Sequence, residues 1–458
     1  MTGPAQPPTM TSSWTYPQSS PGLWFNTTDA SQDGTVLAGG TFEFDTTADF
    51  GFYVLNRAGA VLQSDVWDSA YEGVFWVKLN AAGTIAAGGG WLTSTYTGQL
   101  RAISVADGSA LLTQSTGSRV NQIAMSKDGT ILAAGCGATY SGSGQQIYLY
   151  NLQGGAYQAL TGLTSANNSV QSLAMSEDGK WLVAGFYPNG SAPALILFQI
   201  TSTGLVQSQT WSIPAGGSAA EPDGADPRGF VKEHFAALAS RNLKAESTSG
   251  GAYVKSVAMS ADGSRFAAAI SGTNGIYYFD RGTFISTGAS QWQYVQPGIS
   301  TSSCVGMSAD GSFVVGLSNS SAPLVGYAYR VDDAGASGTL AWKTDVEYWP
   351  NPSNHILGGQ DNLVSFGTGE PKKGGGLTPG HFYVLDANNG AGLGSFDTSA
   401  MNWPFQLSRD GGFAIGGSDD GYLYGFEARG TGAMRFDCKV QSRLDNLLTE
   451  SKLRSRLQ

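Results

Sequence analysis

Charged side chains are scarce in this sequence of 458 residues, because Asp, Glu, Lys and Arg make up only 13% of it, about half the usual fraction. The balance is acidic, with a formal net charge of −10. The sequence has no basic stripe of the kind that neutralises phosphates, which argues against nucleic-acid partners and against adhesion to an anionic membrane. It also has no apolar run near the roughly 20 residues that cross a bilayer, so no membrane partner is expected.

The first residues, Met1 to Pro8, lack the basic cluster and the apolar core of a signal peptide. We therefore expect a soluble protein. The compartment stays open, because low charge with abundant Ser, Thr, Asn and Gly also fits an exported mature form.

Cysteine and histidine are rare as well, with three of each. The cysteines, Cys136, Cys304 and Cys438, lie far apart without a CxxC pair, so neither a disulfide framework nor a zinc cluster is indicated. The GxSxG, HExxH and EF-hand signatures are absent. The sequence therefore points to no particular cofactor or reaction, and whether the protein is an enzyme stays open.

Glycine is abundant instead, with 64 residues, and aromatic residues reach 11%. This composition is typical of many short strands joined by tight turns. A phrase of the form apolar–x–Met/Leu–Ser–x–Asp–Gly, followed by a run of small apolar residues, recurs in five close and three weaker copies. The positions equivalent to its Asp are Asp33, Ala82, Asp128, Asp178, Asp262, Asp310, Asp361 and Asp410.

Successive intervals between these positions are 49, 46, 50, 84, 48, 51 and 49 residues, and the long one fits a repeat plus about 36 inserted residues. A fixed period in this range, with each unit reading as four strands, is typical of a β-propeller. We predict an all-β, eight-bladed β-propeller over residues 21–440, with seven blades as the alternative. Residues 1–20 are assigned to an N-terminal extension. The strand that closes the ring is sought in residues 10–20 or 434–440.

The repeated phrase is similar to the units of WD-repeat-like propellers. The stretch YVLDANNGAGLGSFD from Tyr383 looks like the docking stretch of quinoprotein-type propellers. Together the resemblance covers roughly residues 20–440 and implies the architecture while saying little about function. Relatives that use pyrroloquinoline quinone pack two adjacent cysteines on it, and no two cysteines are adjacent here.

The loop after the second strand of a blade and the loop to the next blade open on the same face of the ring, which we call the loop face. The Asp-Gly turns lie on the opposite face, the turn face, and are expected to be structural. The two long interruptions both fall on the loop face. Residues 213–250 predict a lid with a short amphipathic helix, and residues 366–381 form a glycine-rich loop.

Shorter loops on the loop face carry aromatic side chains among Ser, Asn and Gly. Such a lining around a concave mouth suits a small molecule, a glycan or a peptide. The candidate ligand-binding residues are Phe42, Phe44, Trp91, Tyr96, Tyr140, Phe186 and Tyr187.

Acid-base chemistry has few candidates. His234 with its neighbour Glu233 lies on the predicted lid helix, and Lys372 and His381 belong to the glycine-rich loop. These four residues are the catalytic hypothesis, and packing or solvation is the alternative for each.

A cation site is a further hypothesis, because closure of the ring makes the first and last blades neighbours. The acidic residues that would meet there are Asp45, Asp49, Asp419 and Asp420. Solvated acidic loops are the alternative.

The tail, residues 441–458, places Leu444, Leu447 and Leu448 on one face of a predicted helix. This helix would pack on the side of the propeller or dock a partner subunit, which makes an oligomer possible.

Three functions remain. The first is a ligand-binding propeller that recognises a small molecule, glycan or peptide at the mouth of the central channel. The second is a propeller enzyme, a lyase, hydrolase, isomerase or oxidoreductase, with its active site under the 213–250 lid. The third is a protein-interaction scaffold.

Overall fold

The computed structural model describes the chain in blocks. These are residues 9–10, 12–17, 24–42, 50–67, 71–92, 97–137, 145–153, 157–163, 169–187, 192–214, 252–272, 275–299, 301–321, 324–351, 356–369, 379–429 and 435–436. The predicted C-terminal helix, and all but the first two residues of the predicted lid, lie outside these blocks. Across the described blocks, no helix has the length and apolar character to span a bilayer.

Strands dominate the described residues and pair in eight antiparallel groups of four, which we number units 1 to 8 in chain order. The first strand in the chain, β1 (Trp14–Pro17), belongs to unit 8. Units 1 and 2 contain β2 (Trp24–Ala30), β3 (Val36–Phe42), β4 (Gly51–Asn56), β5 (Val61–Val66), β6 (Tyr71–Leu79), β7 (Ile85–Leu92), β8 (Thr97–Ser104) and β9 (Ala110–Thr116).

The next units repeat the same order of four strands. Units 3 and 4 contain β10 (Val120–Met125), β11 (Ile131–Cys136), β12 (Ile147–Asn151), β13 (Gln158–Leu163), β14 (Ser169–Met175), β15 (Trp181–Tyr187), β16 (Leu195–Thr201) and β17 (Gly204–Trp211). Units 5 and 6 contain β18 (Val254–Met259), β19 (Arg265–Ile270), β20 (Gly275–Asp280), β21 (Trp292–Tyr294), β22 (Thr301–Met307), β23 (Phe313–Ser321), β24 (Leu324–Asp333) and β25 (Gly338–Glu347).

Unit 7 has the shortest first strand. It contains β26 (Leu357–Gly358), β27 (Leu363–Gly367), β28 (Gly380–Asp386) and β29 (Gly392–Thr398). Unit 8 contains β30 (Asn402–Leu407), β31 (Phe413–Ser418) and β32 (Tyr422–Arg429), to which both β1 and β33 (Arg435–Phe436) are added.

The units stand side by side around an axis, with the first strand of each innermost, because first strands pack against the first strands of neighbouring units. The inner edge of each sheet needs partners for its backbone groups. Side chains of the preceding unit supply them. Gln122 Oε1 accepts a hydrogen bond from Leu173 N at 2.8 Å, and Ser172 Oγ accepts one from Val257 N at 2.9 Å. The predicted all-β propeller is confirmed. The number of eight blades, one for each unit, stays a prediction.

The N-terminal strand closes the ring. β1 pairs antiparallel with β32, from Trp14 against Gly425 to Pro17 against Tyr422. β33, from the other candidate segment, pairs only with the last two residues of β32. The propeller therefore includes residues that the sequence analysis placed in an N-terminal extension, because unit 8 has no fourth strand of its own at that edge.

Large side chains fill the space between the units toward their outer ends, as the widening wedge requires. Four tryptophans on or directly after fourth strands are all buried: Trp67, Trp211, Trp292 and Trp342. Trp211, for example, packs on Tyr277 of the next unit with ring centroids 4.8 Å apart.

One described helix, α1 (Arg281–Thr287), interrupts unit 5 between β20 and β21. Its N-cap is Asp280, whose side chain accepts a hydrogen bond from Thr283 N at 2.7 Å. Gly288 ends it in the left-handed conformation, with φ 72°. This helix was not predicted from the sequence, because the short segment that forms it lies between two strands of one repeat unit.

Candidate functional site at the turn face

The Ser-x-Asp-Gly turn is held by a fixed set of hydrogen bonds. In unit 4, Ser176 Oγ accepts from Trp181 N at 3.0 Å and donates to Asp178 Oδ1 at 2.7 Å. Asp178 Oδ1 also accepts from Lys180 N at 3.0 Å, and Gly179 takes a φ of 69°. The same Ser–Asp bond recurs in the turns that begin at Ser31, Ser126, Ser260, Ser308 and Ser408. Ser and Asp are therefore used inside the turn, and the second residue is left for other contacts.

Together these hydrogen bonds lower the pKa of five turn carboxyl groups, those of Asp33, Asp128, Asp178, Asp262 and Asp310. The backbone N–H of Ser312 is the main cause that lowers the pKa of Asp310, with the hydroxyl groups of Ser308 and Ser312 adding to it. In unit 1, burial acts to raise the pKa of Asp33, but its hydrogen bonds together lower it. The hydrogen bonds thus favour the ionised form of these carboxyl groups on the turn face.

Unit 2 forms the same kind of hydrogen-bonded turn with different residues. Asn80 stands in place of Ser, and Ala82 in place of Asp. Asn80 Oδ1 accepts from both Thr84 N at 2.8 Å and Ile85 N at 3.0 Å. One amide thus replaces the Ser–Asp pair, which explains why this weaker copy of the phrase still folds as a turn.

Most of the turns are linked to the next by a backbone hydrogen bond between their second residues. Gln32 N donates to Ala81 O at 2.8 Å, and Ala81 N donates to Lys127 O at 2.9 Å. The pattern continues through units 4 and 5 to Ala309 in unit 6, and Gln360 N of unit 7 donates to Arg409 O at 2.6 Å. The third residue of the turn in unit 8 completes the ring, with Asp410 N donating to Gln32 O at 3.1 Å. The second residues of the turns therefore form a fixed rim around the central channel.

A basin of about 750 Å³ opens at this end of the channel. The turns of units 1, 2, 3, 7 and 8 line it. The lining residues are Gln32, Asp33, Ala81, Ala82, Lys127, Gln360, Asp361, Arg409 and Asp410.

An ion bridge crosses the mouth beside the basin. Glu177 of unit 4 receives Lys127 Nζ of unit 3 on Oε2 and Arg409 Nη1 of unit 8 on Oε1, each at 2.7 Å. Units 4 and 8 lie half a ring apart, so Arg409 reaches across the axis. One carboxylate thus neutralises part of the charge of two cations that line the basin.

This candidate site was not predicted from the sequence. Its turns were expected to be structural, and their Ser, Asp and Gly residues are. The available signal was the second residue of the phrase, which varies in charge from turn to turn while its neighbours stay nearly constant.

Among the predicted catalytic residues, His381 is described, and His234, Glu233 and Lys372 lie outside the described residues. His381 is on β28, the third strand of unit 7, away from the innermost strands. Its Nδ1 contacts Asp397 Oδ1 at 2.7 Å, and its Nε2 lies 3.2 Å from Glu347 Oε2 in unit 6. It therefore bridges units 6 and 7, and the structure brings no other predicted catalytic residue beside it in the described part of the chain.

The predicted ligand-binding aromatics are partly interior. Phe186 is 0% exposed in the core between units 3 and 4, and Trp91 is 5% exposed. Tyr187 is half-buried against Tyr253, with ring centroids 4.8 Å apart. In this arrangement Phe186 and Trp91 present almost no surface to a ligand. Phe42 ends β3, where its backbone pairs with Trp24 and Gly73, and Phe44, Tyr96 and Tyr140 lie outside the described residues.

Of the predicted cation ligands, Asp419 and Asp420 are described on the loop face of unit 8, and Asp45 and Asp49 lie outside the described residues. Burial is the main cause that raises the pKa of Asp419 to about 8, and Asp420 adds to it. Asp419 Oδ1 accepts from Trp403 Nε1, and Asp420 Oδ2 accepts from Tyr424 Oη at 2.6 Å. Among the residues that the structure places, no group of three or more His, Cys, Asp or Glu side chains forms a metal site.

Neither a protein-family model nor a curated protein matches the sequence. Solved structures do match in fold. Chaetomium thermophilum Sqt1 bound to the N-terminus of the ribosomal protein L10 has a TM-score of 0.61 at 13% identity, over 92% of this chain and 100% of that one. The C-terminal WD40 domain of Sif2 has a TM-score of 0.58 at 11% identity, over 93% and 100%. The β-propeller domain of Myceliophteria thermophila Cps50 (Swd1) has 0.51 at 12%, over 78% and 96%.

These similarities show a WD-repeat-like β-propeller fold, as the repeated phrase predicted. They do not bear on the quinoprotein-type resemblance, which stays an expectation. At 11% to 13% identity they show the fold alone.

Proposed function

We propose that this protein is an interaction propeller that binds a polypeptide segment of a partner in the turn-face basin. The observation that carries the proposal is the basin itself, an opening of about 750 Å³ on a rigid rim of hydrogen-bonded turns. Its volume falls in the usual range of ligand sites, roughly 300–1,000 Å³. That Sqt1, a propeller of similar fold, was solved with the N-terminus of ribosomal protein L10 bound supports a peptide as the occupant.

The charge of the basin favours a basic segment. Three carboxylates line it: Asp33, Asp361 and Asp410. The two cations in the lining, Lys127 and Arg409, both form ion pairs with Glu177. The whole chain carries a formal net charge of −10. Complementary charge speeds encounter and selects partners, so a Lys- or Arg-bearing segment is the expected ligand.

The other two hypotheses placed their sites on the loop face. Their described candidates do not converge there, since Phe186 is interior and His381 joins units 6 and 7. The interaction function is supported instead by a cavity that the described residues form. A small molecule or glycan in the same basin is the competing occupant.

The basin can be blocked at a position that tolerates large side chains. Ala81 occupies the second turn position, where Lys127 and Arg409 stand in other units, so Ala81→Trp should fold and fill the basin. Ala261 holds the equivalent position in unit 5 and does not line the basin. Ala261→Trp is therefore the matched control.

A displayed library of random octapeptides provides the probe. We expect the wild type and Ala261→Trp to select overlapping peptides, and Ala81→Trp to bind those peptides at least 10-fold more weakly. Circular dichroism checks that both variants fold. Selection of no peptide, or equal binding by both variants, contradicts the proposal, and a glycan array on the same three proteins tests the competing occupant.

A further inference from the structure

The turn of unit 7 departs from the others in both sequence and shape. Gly359, Gln360, Asp361 and Asn362 stand where the repeated turn has Ser, x, Asp and Gly. The repeated turn places a positive φ on its final Gly, as at Gly411 with φ 73°. In unit 7 the positive φ values are 58° at Gly359, 55° at Gln360 and 67° at Asp361. Two central residues with positive φ are the mark of a type I′ turn.

This turn is unfavourable for the residues that form it. A positive φ brings the side chain of an L-residue close to its own backbone, which Gln tolerates poorly and Asp only moderately. Among described non-glycine residues, only Tyr348 shares this conformation with Gln360 and Asp361. The ring does not require it, because the Ser-x-Asp-Gly turn serves in six other units.

The unusual turn changes where its carboxylate lies. Unit 7 has no Ser to hold Asp361 within its own turn. Asp361 Oδ2 instead accepts a hydrogen bond from Ala309 N at 2.7 Å. In units 1 to 5 the equivalent N–H donates to the carbonyl of the next turn's second residue. Asp361 is thus placed on the rim itself, in a link that is otherwise made by backbone.

Both unusual residues line the basin, and Gln360 is exposed. The nearest lining cation along the rim is Arg409 on the next turn, whose guanidinium is bound to Glu177. Asp361 therefore lines the basin beside Arg409, a cation that is already paired with Glu177.

We infer that the turn of unit 7 determines the specificity of the basin, and that Asp361 holds a Lys or Arg side chain of the bound polypeptide. The inference rests on the proposed function and names the group that is recognised. It also explains why the strained turn of unit 7 is retained, although two substitutions would convert its sequence to the common Ser-x-Asp-Gly turn. Strained backbone conformations cluster at functional sites.

Removal of the charge alone is the first test. Asp361→Asn keeps a residue that tolerates positive φ and an oxygen that accepts from Ala309 N, but it removes the negative charge. Asp262→Asn removes the same charge from the turn of unit 5, which does not line the basin. We expect the wild type and Asp262→Asn to enrich Lys or Arg at one position of the selected octapeptides, and Asp361→Asn to lose that enrichment and bind those peptides at least 10-fold more weakly.

Restoration of the common turn is the second test. The double variant Gly359→Ser, Asn362→Gly rebuilds the sequence Ser-Gln-Asp-Gly. A Cβ at Gly359 would lie 2.7 Å from Leu363 Cδ1 in the present turn, so the serine favours the change of shape. We expect the melting temperature to rise by about 1–3 °C as strain is released, and the preference for Lys or Arg to fall.

The outcomes separate this inference from the proposed function. Two outcomes contradict the inference and leave the proposed function standing. In the first, Ala81→Trp weakens peptide binding but the selected peptides show no enrichment of Lys or Arg. In the second, the enrichment of Lys or Arg persists in Asp361→Asn. A double variant that keeps the full preference also contradicts it. If no peptide depends on the basin, the proposed function fails and the inference fails with it.

Discussion

Single residues decide how each turn is built and how each carboxyl group titrates. In the common turn, Ser accepts a hydrogen bond from one part-buried N–H and Asp accepts one from an exposed N–H. In unit 2, Asn80 accepts both of the equivalent hydrogen bonds. The local chemistry of these residues is legible in the sequence, because each bond joins atoms within five residues. The state of a carboxyl group is not legible in the same way, because it depends on burial.

Asp419 shows this dependence and gives a prediction on pH. Its pKa is raised from 3.8 to about 8, so the folded protein keeps a proton that the unfolded chain releases. The protonated carboxyl group therefore contributes fully to the free energy of unfolding below about pH 4. This contribution is lost as the pH rises to about 8. Asp419→Asn lacks this loss, so its advantage over the wild type should grow across that range, to on the order of 1–3 kcal/mol at pH 8.

Urea unfolding between pH 4 and pH 9 measures the effect. Asp310→Asn is the control of opposite sign, because the pKa of Asp310 is lowered and its ionised form stabilises the fold at neutral pH. A constant difference between wild type and Asp419→Asn at every pH would show that Asp419 is not a buried, protonated group.

Secondary-structure elements depend on contacts that are distant in sequence. The closing strand illustrates this, since the choice between residues 10–20 and 434–440 had no local signal. Trp14 secures β1 to unit 8 and unit 1, with its Nε1 donating to Arg57 O at 2.9 Å and its ring 6.1 Å from that of Phe413. Gly59 and Gly425 make room for it, because a Cβ on either would overlap the indole.

Trp14→Ala should therefore weaken closure of the ring. Truncation of a large, partly buried aromatic side chain, with loss of its hydrogen bond, predicts a loss of about 2–4 kcal/mol of unfolding free energy. Thr15→Ala, an exposed change in the same strand, should cost less than about 0.5 kcal/mol. Chemical denaturation of both variants measures the difference, and equal stabilities would mean that β1 does not hold the ring closed.

Register determines which of the two aromatic residues at the end of β15 is buried. Phe186 and Tyr187 are adjacent at the end of β15, and only the second is half-exposed. In a strand, adjacent side chains point to opposite faces, so a shift of one residue exchanges interior for surface. The composition of the segment identifies a strand end with aromatics but does not assign each ring to a side.

At the scale of the whole molecule, the repeat predicted the architecture, because each copy of the phrase places a turn between the first two strands of a unit, although the turn of unit 7 differs in shape. The basin was not predicted, because it exists only when the turns of five units close on one another. Its residues, such as Gln32 and Gln360, look like ordinary surface variation in a linear sequence. The ion bridge between Arg409 and Glu177 joins residues 232 positions apart and follows from closure alone.

The position of the bound segment tests the account most directly. A selected octapeptide that carries a photoreactive benzophenone group in place of one side chain can be cross-linked to the wild-type protein and the products mapped by mass spectrometry. We expect cross-links to the turns of units 7, 8, 1 and 2, at Gln360, Arg409, Gln32 and Ala81 or their neighbours. Cross-links on the opposite face, near Tyr187, Trp403 or Asp419, would contradict a binding site on the turn face.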